Sequence, residues 1–96
     1  MIKHIVAWDF AVDSKQSNLK RMKNLLEELP ALISEIETFE VGLNLKDSDV
    51  AKDMVLVSSF ADEGALQRYT DHPEHQRVVQ ELRKVSSKTV VVDYKV

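Results

Sequence analysis

Cysteine is absent from this chain of 96 residues, which removes disulfides, thiol nucleophiles and thiolate metal sites from consideration. Glycine and proline occur only twice each, and there are no repeats, linkers or low-complexity segments. Long apolar runs are missing too. The opening stretch Met1–Phe10 is interrupted by Lys3, His4 and Asp9, unlike the continuous core of a signal peptide, and no run is long enough to span a bilayer. A cytoplasmic location is the default expectation. Strong charge of one sign is lacking as well. A formal net charge of -3 provides no electrostatic reason to expect nucleic acid or an anionic membrane as partner. What remains is the composition of an ordinary soluble protein, 44% hydrophobic and 30% charged, in one expected domain over residues 1–96. A domain so small buries only roughly two-thirds of the surface its unfolded chain exposes. Self-association is a natural way to bury more.

Hydrophobic periodicity divides the chain into six main elements. Residues 2–10 alternate as a strand, with Ile2, His4, Val6, Trp8 and Phe10 on one face and Lys3, Ile5, Ala7 and Asp9 on the other. Leu19, Met22, Leu25, Leu26 and Leu29 are spaced three and four apart and form a helical stripe. Asp13–Ser17 supplies candidate N-caps, and Pro30 ends the regular helix. The spacing predicts a second strand over Glu37–Leu45 and a third over Asp53–Ala61, joined by the polar stretch Lys46–Lys52. Asp47, Asp49 and Asp53 lack the glycine and terminal glutamate of a calcium loop and read as a solvated turn. Asp62 can cap a short helix carrying Ala65, Leu66 and Tyr69 on one side. Pro73 restarts it, and in the restarted piece His75, Val78, Val79, Leu82 and Val85 share a stripe. Ser86–Val96 closes the chain as a strand, with Val90, Val92, Tyr94 and Val96 opposite Thr89, Val91 and Asp93.

The order β-α-β-β-α-β is that of a ferredoxin-like α+β fold, a four-stranded antiparallel sheet with helices on one face. Two helices cover one face only. Yet strands one, three and four carry apolar residues on both faces, so the bare face needs a partner. A second copy of the chain, packed sheet against sheet in a dimeric α/β barrel, is the simplest one.

The chemistry concentrates in Tyr69-Thr-Asp-His72-Pro73-Glu-His75, which holds two of the three histidines. Tyr69 and His75 lie on the inward sides of two consecutive helical pieces. His4 lies on the inward face of the first strand, beside Val6 and Trp8. All three can converge between helices and sheet on a small apolar pocket. A histidine titrates near neutrality and can act as a base, and a tyrosine beside it can donate to a developing enolate oxygen. The plainer readings are a histidine that satisfies a backbone carbonyl and a tyrosine that packs in the core. His72, directly before Pro73, suits a structural role at the helix break. A metal held by His4, His72 and His75 has no carboxylate or cysteine pattern to complete it, and none is expected.

The fragments Ile2-Lys3-His4-Ile5-Val6, Leu29-Pro30, Phe39-Glu40-Val41-Gly42 with Asn44, Tyr69-x-x-His72-Pro73-x-His75 after Phe60, and Asp93-Tyr94 recur in order along essentially the whole chain. In that arrangement the sequence resembles the stress-responsive A/B barrel family of dimeric α/β barrels. Some of its plant members are associated with stress, and a few resemble olivetolic acid cyclase, a cofactor-independent polyketide cyclase. The resemblance implies that His75 is the base, that Tyr69 and His4 hold or polarise the substrate, and that no cofactor is needed. It also places Met22 where the cyclase has a substrate-binding tyrosine, and Ser86 where it has an aromatic residue near the end of the last helix. Val6, Trp8, Met22 and His72 complete the candidate ligand-binding set. Related barrels include cofactor-independent monooxygenases, for which Trp8 would be the relevant residue, although a lone inward tryptophan is more often core. The expectation is a cyclase- or lyase-like enzyme acting on a small apolar, aromatic or polyketide-like ligand. The competing class is a non-catalytic, dimeric stress-related or structural protein.

Overall fold

The computed structural model describes residues 1–96. Its elements run β1 (Ile2–Phe10), α1 (Lys15–Glu27), α2 (Leu29–Leu32), β2 (Ile36–Leu43), β3 (Met54–Phe60), α3 (Glu63–Asp71), α4 (Pro73–Val85) and β4 (Ser86–Lys95). The strands form one antiparallel sheet in the order β2-β3-β1-β4, the ferredoxin-like arrangement, with all helices on one side. No helix is long and apolar enough to cross a membrane.

Local chemistry explains most boundaries. Asp62 Oδ1 accepts the Ala65 backbone N–H at 2.8 Å and starts α3. At α1 the expected side-chain cap does not form. Ser14 adopts a left-handed conformation (φ 56°) with no side-chain cap bond, and its carbonyl accepts from the Asn18 amide at 3.0 Å instead. Pro30 ends the regular helix as expected, and it does so by opening the next turn: α1 stops at Glu27 and Pro30 lies in the first turn of α2. The second strand is shorter than the alternation predicts. Leu43 is its last residue, and Leu45 is fully solvent-exposed. The Asn44 side chain donates to the Lys46 carbonyl at 2.9 Å, and its backbone N–H bonds to the Asp53 carbonyl, so the chain turns away from the sheet there. Asp53 lies outside β3. Its carboxylate accepts the Phe10 N–H at 2.8 Å and meets Lys15 Nζ at 3.2 Å, tying the end of β1 to the start of α1.

The core fills the space between helices and sheet. Trp8 and Phe10 from β1, Leu19, Met22 and Leu26 from α1, Leu56 and Phe60 from β3, and Val78 and Leu82 from α4 are all buried. The opposite face of the sheet has no covering layer. The cross-strand registers Ile5↔Val57, Ile5↔Val92, Ala7↔Val55 and Ala7↔Val90 put an apolar band there, with Val92 61% exposed. The molecule is 17 Å across its thinnest direction, about one sheet plus one layer of helices. β4 is an edge strand and is exposed along most of its length. The helices pack most closely over β2 and β3 and leave a gap between α4 and the β1–β4 half of the sheet.

Candidate functional site

That gap is a cavity of about 450 Å³ between α4 and the β1–β4 half of the sheet, within the usual size range of small-molecule sites. Its floor is the inward face of β1 (His4, Val6, Trp8) and of β4 (Thr89, Val91, Asp93), and its roof is α4, from His75 through Val78, Val79 and Leu82 to Arg83. Leu26, Leu56, Tyr69, Thr70 and Ser86 complete the lining. The register His4↔Asp93, Val6↔Val91, Trp8↔Thr89 makes the floor continuous across the two strands.

Three aromatic rings meet at one end. Tyr69 lies 4.3 Å from His75 and 6.0 Å from His4, centroid to centroid, and it also packs on Phe60 at 4.8 Å. The tyrosine is 1% exposed. Burial raises its pKa well above the usual phenol value, so the hydroxyl stays protonated. No buried side-chain polar atom is left without a partner. Tyr69 is one of the residues that line the cavity.

Both inward histidines are held through Nδ1. His75 Nδ1 lies 2.9 Å from the Thr70 carbonyl; a carbonyl only accepts, so Nδ1 carries the proton and Nε2 is the basic nitrogen. Burial pulls the His75 pKa below its usual value; the Thr70 bond opposes this, and the neighbouring His4 and His72 reinforce it. His75 is accordingly neutral at physiological pH. His4 Nδ1 bonds Asp93 Oδ1, which again leaves Nε2 for a ligand. A base, a second oriented imidazole and a phenol donor thus share one apolar chamber, which is equipment for moving a proton beside a carbonyl.

Of the candidate residues, His4, Val6, Trp8, Tyr69 and His75 line the cavity. Met22 and His72 do not. Met22 is wholly buried in the core under α1, because α1 lies over the β2 side of the sheet and reaches the cavity only through Leu26. His72 sits at the break between α3 and α4, where its Nδ1 accepts the Glu74 N–H at 3.1 Å and caps α4. No three His, Asp or Glu side chains are grouped so that they could share a metal ion. Asp93, Thr89 and Arg83 were not singled out by sequence reasoning. For Asp93 and Thr89 the signal was present, since both alternate onto the same face of β4 as Val91. For Arg83 there was none, because on a helix flank it reads as a solvated cation.

An uncharacterised protein of Streptomyces coelicolor is 28% identical over 96 residues, which cover 98% of each chain. A dimeric protein of unknown function with a ferredoxin-like fold from Bacteroides fragilis superposes with a TM-score of 0.89 at 31% identity, covering 99% of this chain and 95% of that one. A hydroxynitrile lyase from Passiflora edulis superposes with a TM-score of 0.88 over 99% of this chain and 92% of that one, at 17% identity, a likeness of fold alone. The sequence profile of the stress-responsive A/B barrel domain matches residues 2–96. With the order of strands and the His4, Tyr69 and His75 chamber already in view, that match identifies this chain as a member of the stress-responsive A/B barrel domain family.

Proposed function

We propose that the cavity is the active site of a cofactor-independent, cyclase- or lyase-like enzyme in which His75 Nε2 is the general base. The observation that carries this reading is the convergence of neutral His75, protonated Tyr69 and Asp93-bound His4 on one apolar chamber. A substrate carbonyl bonded to the Tyr69 hydroxyl has acidified protons on its α-carbon. His75 Nε2 removes one, and the enolate attacks a second carbonyl of the same chain. In that closure a C–C bond forms, the attacked carbonyl becomes an alkoxide, and the proton returns to it from the His75 imidazolium. His4 holds the remaining oxygen. The same fold carries a hydroxynitrile lyase in Passiflora edulis, so the fold itself is compatible with lyase chemistry.

The test uses a reactive poly-β-ketone surrogate. Positioned base catalysis contributes about a hundred- to ten-thousand-fold, so His75→Ala is expected to lose at least about a hundredfold in rate, and Tyr69→Phe a smaller share. Equal rates for wild type and His75→Ala would remove the catalytic role. They would favour a second reading that rests on the His75–Thr70 bond, namely a histidine that only secures the joint between α3 and α4 in a non-catalytic protein.

The apolar open face of the sheet supports self-association as a homodimer through that face, and the Bacteroides fragilis relative is described as dimeric.

A further inference from the structure

The cavity carries one cationic side chain that makes no ion pair. Two formally charged side chains line it, Asp93 and Arg83. Asp93 is taken up by His4. Arg83 takes part in none of the nine ion pairs of the molecule, while its neighbour Lys84 bonds Glu81 and Arg21 bonds the same glutamate. The residues three and four away from Arg83 along the chain are Val79, Gln80, Ser86 and Ser87, none of them acidic, so no neighbour on α4 competes for its guanidinium. Here the guanidinium borders a chamber whose other walls are mostly apolar side chains.

We infer that Arg83 is the anchor for a carboxylate on the ligand, which makes the substrate class an acid with an apolar or aromatic body and a carbonyl near its other end. This rests on the reading of the cavity as a substrate site and adds the ligand's charge and length. Arg83 follows His75 by eight residues on α4, which is roughly 12 Å along the axis at 1.5 Å per residue. The two side chains therefore leave α4 about two turns apart, which suits a ligand with an elongated body such as a substituted aromatic acid. Arginine's planar fork fits a carboxylate through two parallel N–H···O bonds.

The sole tryptophan, Trp8, lines the cavity, so its fluorescence reports occupancy without a label. The probes are para-butylbenzoate, ionised at neutral pH because its carboxyl titrates near about 4, and para-butylbenzamide, its neutral counterpart of the same shape. Wild type is expected to bind the benzoate about tenfold more tightly than the benzamide, the scale of a charge-assisted hydrogen bond. Arg83→Gln, at an exposed and unpaired position, is expected to remove that preference by weakening the benzoate alone, and Arg83→Lys to keep part of it. Equal binding of the two probes by wild type, or a preference that survives in Arg83→Gln, overturns the anchor while leaving a cavity that binds. A Trp8 signal that responds to neither probe overturns the cavity as a ligand site, and the anchor with it.

Discussion

His75 stays neutral to a lower pH than an exposed histidine would, and that has consequences for both rate and stability. Burial is the main cause of its lowered pKa. As a base it works in the neutral form, so the rate should fall on acidification with a midpoint below about 6.5, the unperturbed value. A pH–rate profile of kcat/KM checks this, and a midpoint at or above that value would contradict it. The stability effect has the same direction. Between the lowered folded value and about 6.5 the unfolded chain binds the proton and the folded one does not. The His75 contribution is therefore present in full above about pH 6.5 and is lost as pH falls toward the folded pKa. Thermal melts at neutral and mildly acidic pH should show a decline that flattens in His75→Gln. At this scale the sequence was informative about the inward residues, because strand alternation put His4, Val6 and Trp8 on one face and helical spacing put His75 with Val78 and Leu82. Met22 entered the ligand-binding set through the resemblance, whereas its stripe position says only that it faces the interior, and in the structure it packs in the core. Whether a buried side chain touches other side chains or an open space depends on which part of the sheet its helix covers.

The break between α3 and α4 is a built joint. Pro73 has no N–H to lose at the first helical position, and His72 turns its ring to accept the next free amide, that of Glu74. Thr70 then accepts two side chains from the new helix, His75 Nδ1 and Gln76 Nε2 at 2.7 Å. Together these bonds fix the angle at which α4 leaves α3 and thus the position of His75 over the sheet. Removing the cap with His72→Ala should cost about 1 kcal/mol, a drop of about 4–8 °C in Tm for a chain of this size. His72→Asn, which can still accept the Glu74 amide, should recover most of it. A loss in His72→Ala of the same size in His72→Asn would show that the ring's packing and not its cap is what matters. The joint was legible as a break from His72-Pro73 alone. The bond that makes it rigid was not, since a histidine before a proline can turn either nitrogen to several partners.

Over the whole molecule the uneven covering of the sheet decides both the site and the expected assembly. The helices cover the β2–β3 half closely and stand off the β1–β4 half, which keeps a cavity on one face and an unpartnered apolar band on the other. If the band joins two copies, Val92→Glu puts a charge from each copy into the same buried layer, where an unpaired charge costs several kcal/mol. Sedimentation at micromolar concentration should then find wild type as a dimer and Val92→Glu as a monomer with the same helical content. A monomeric wild type would rule the face out as a dimer contact. The amino-acid sequence by itself determined the element order, the inward and outward faces of each strand, and membership of the family, because periodicity and short motifs are local and survive without coordinates. Only the tertiary structure decided that Asp93 reaches His4, that Arg83 borders the same chamber as His75, that Met22 is core and that His72 is a cap. Each of those depends on strand register or on where one helix crosses the sheet, and both are set by contacts between residues far apart in the chain.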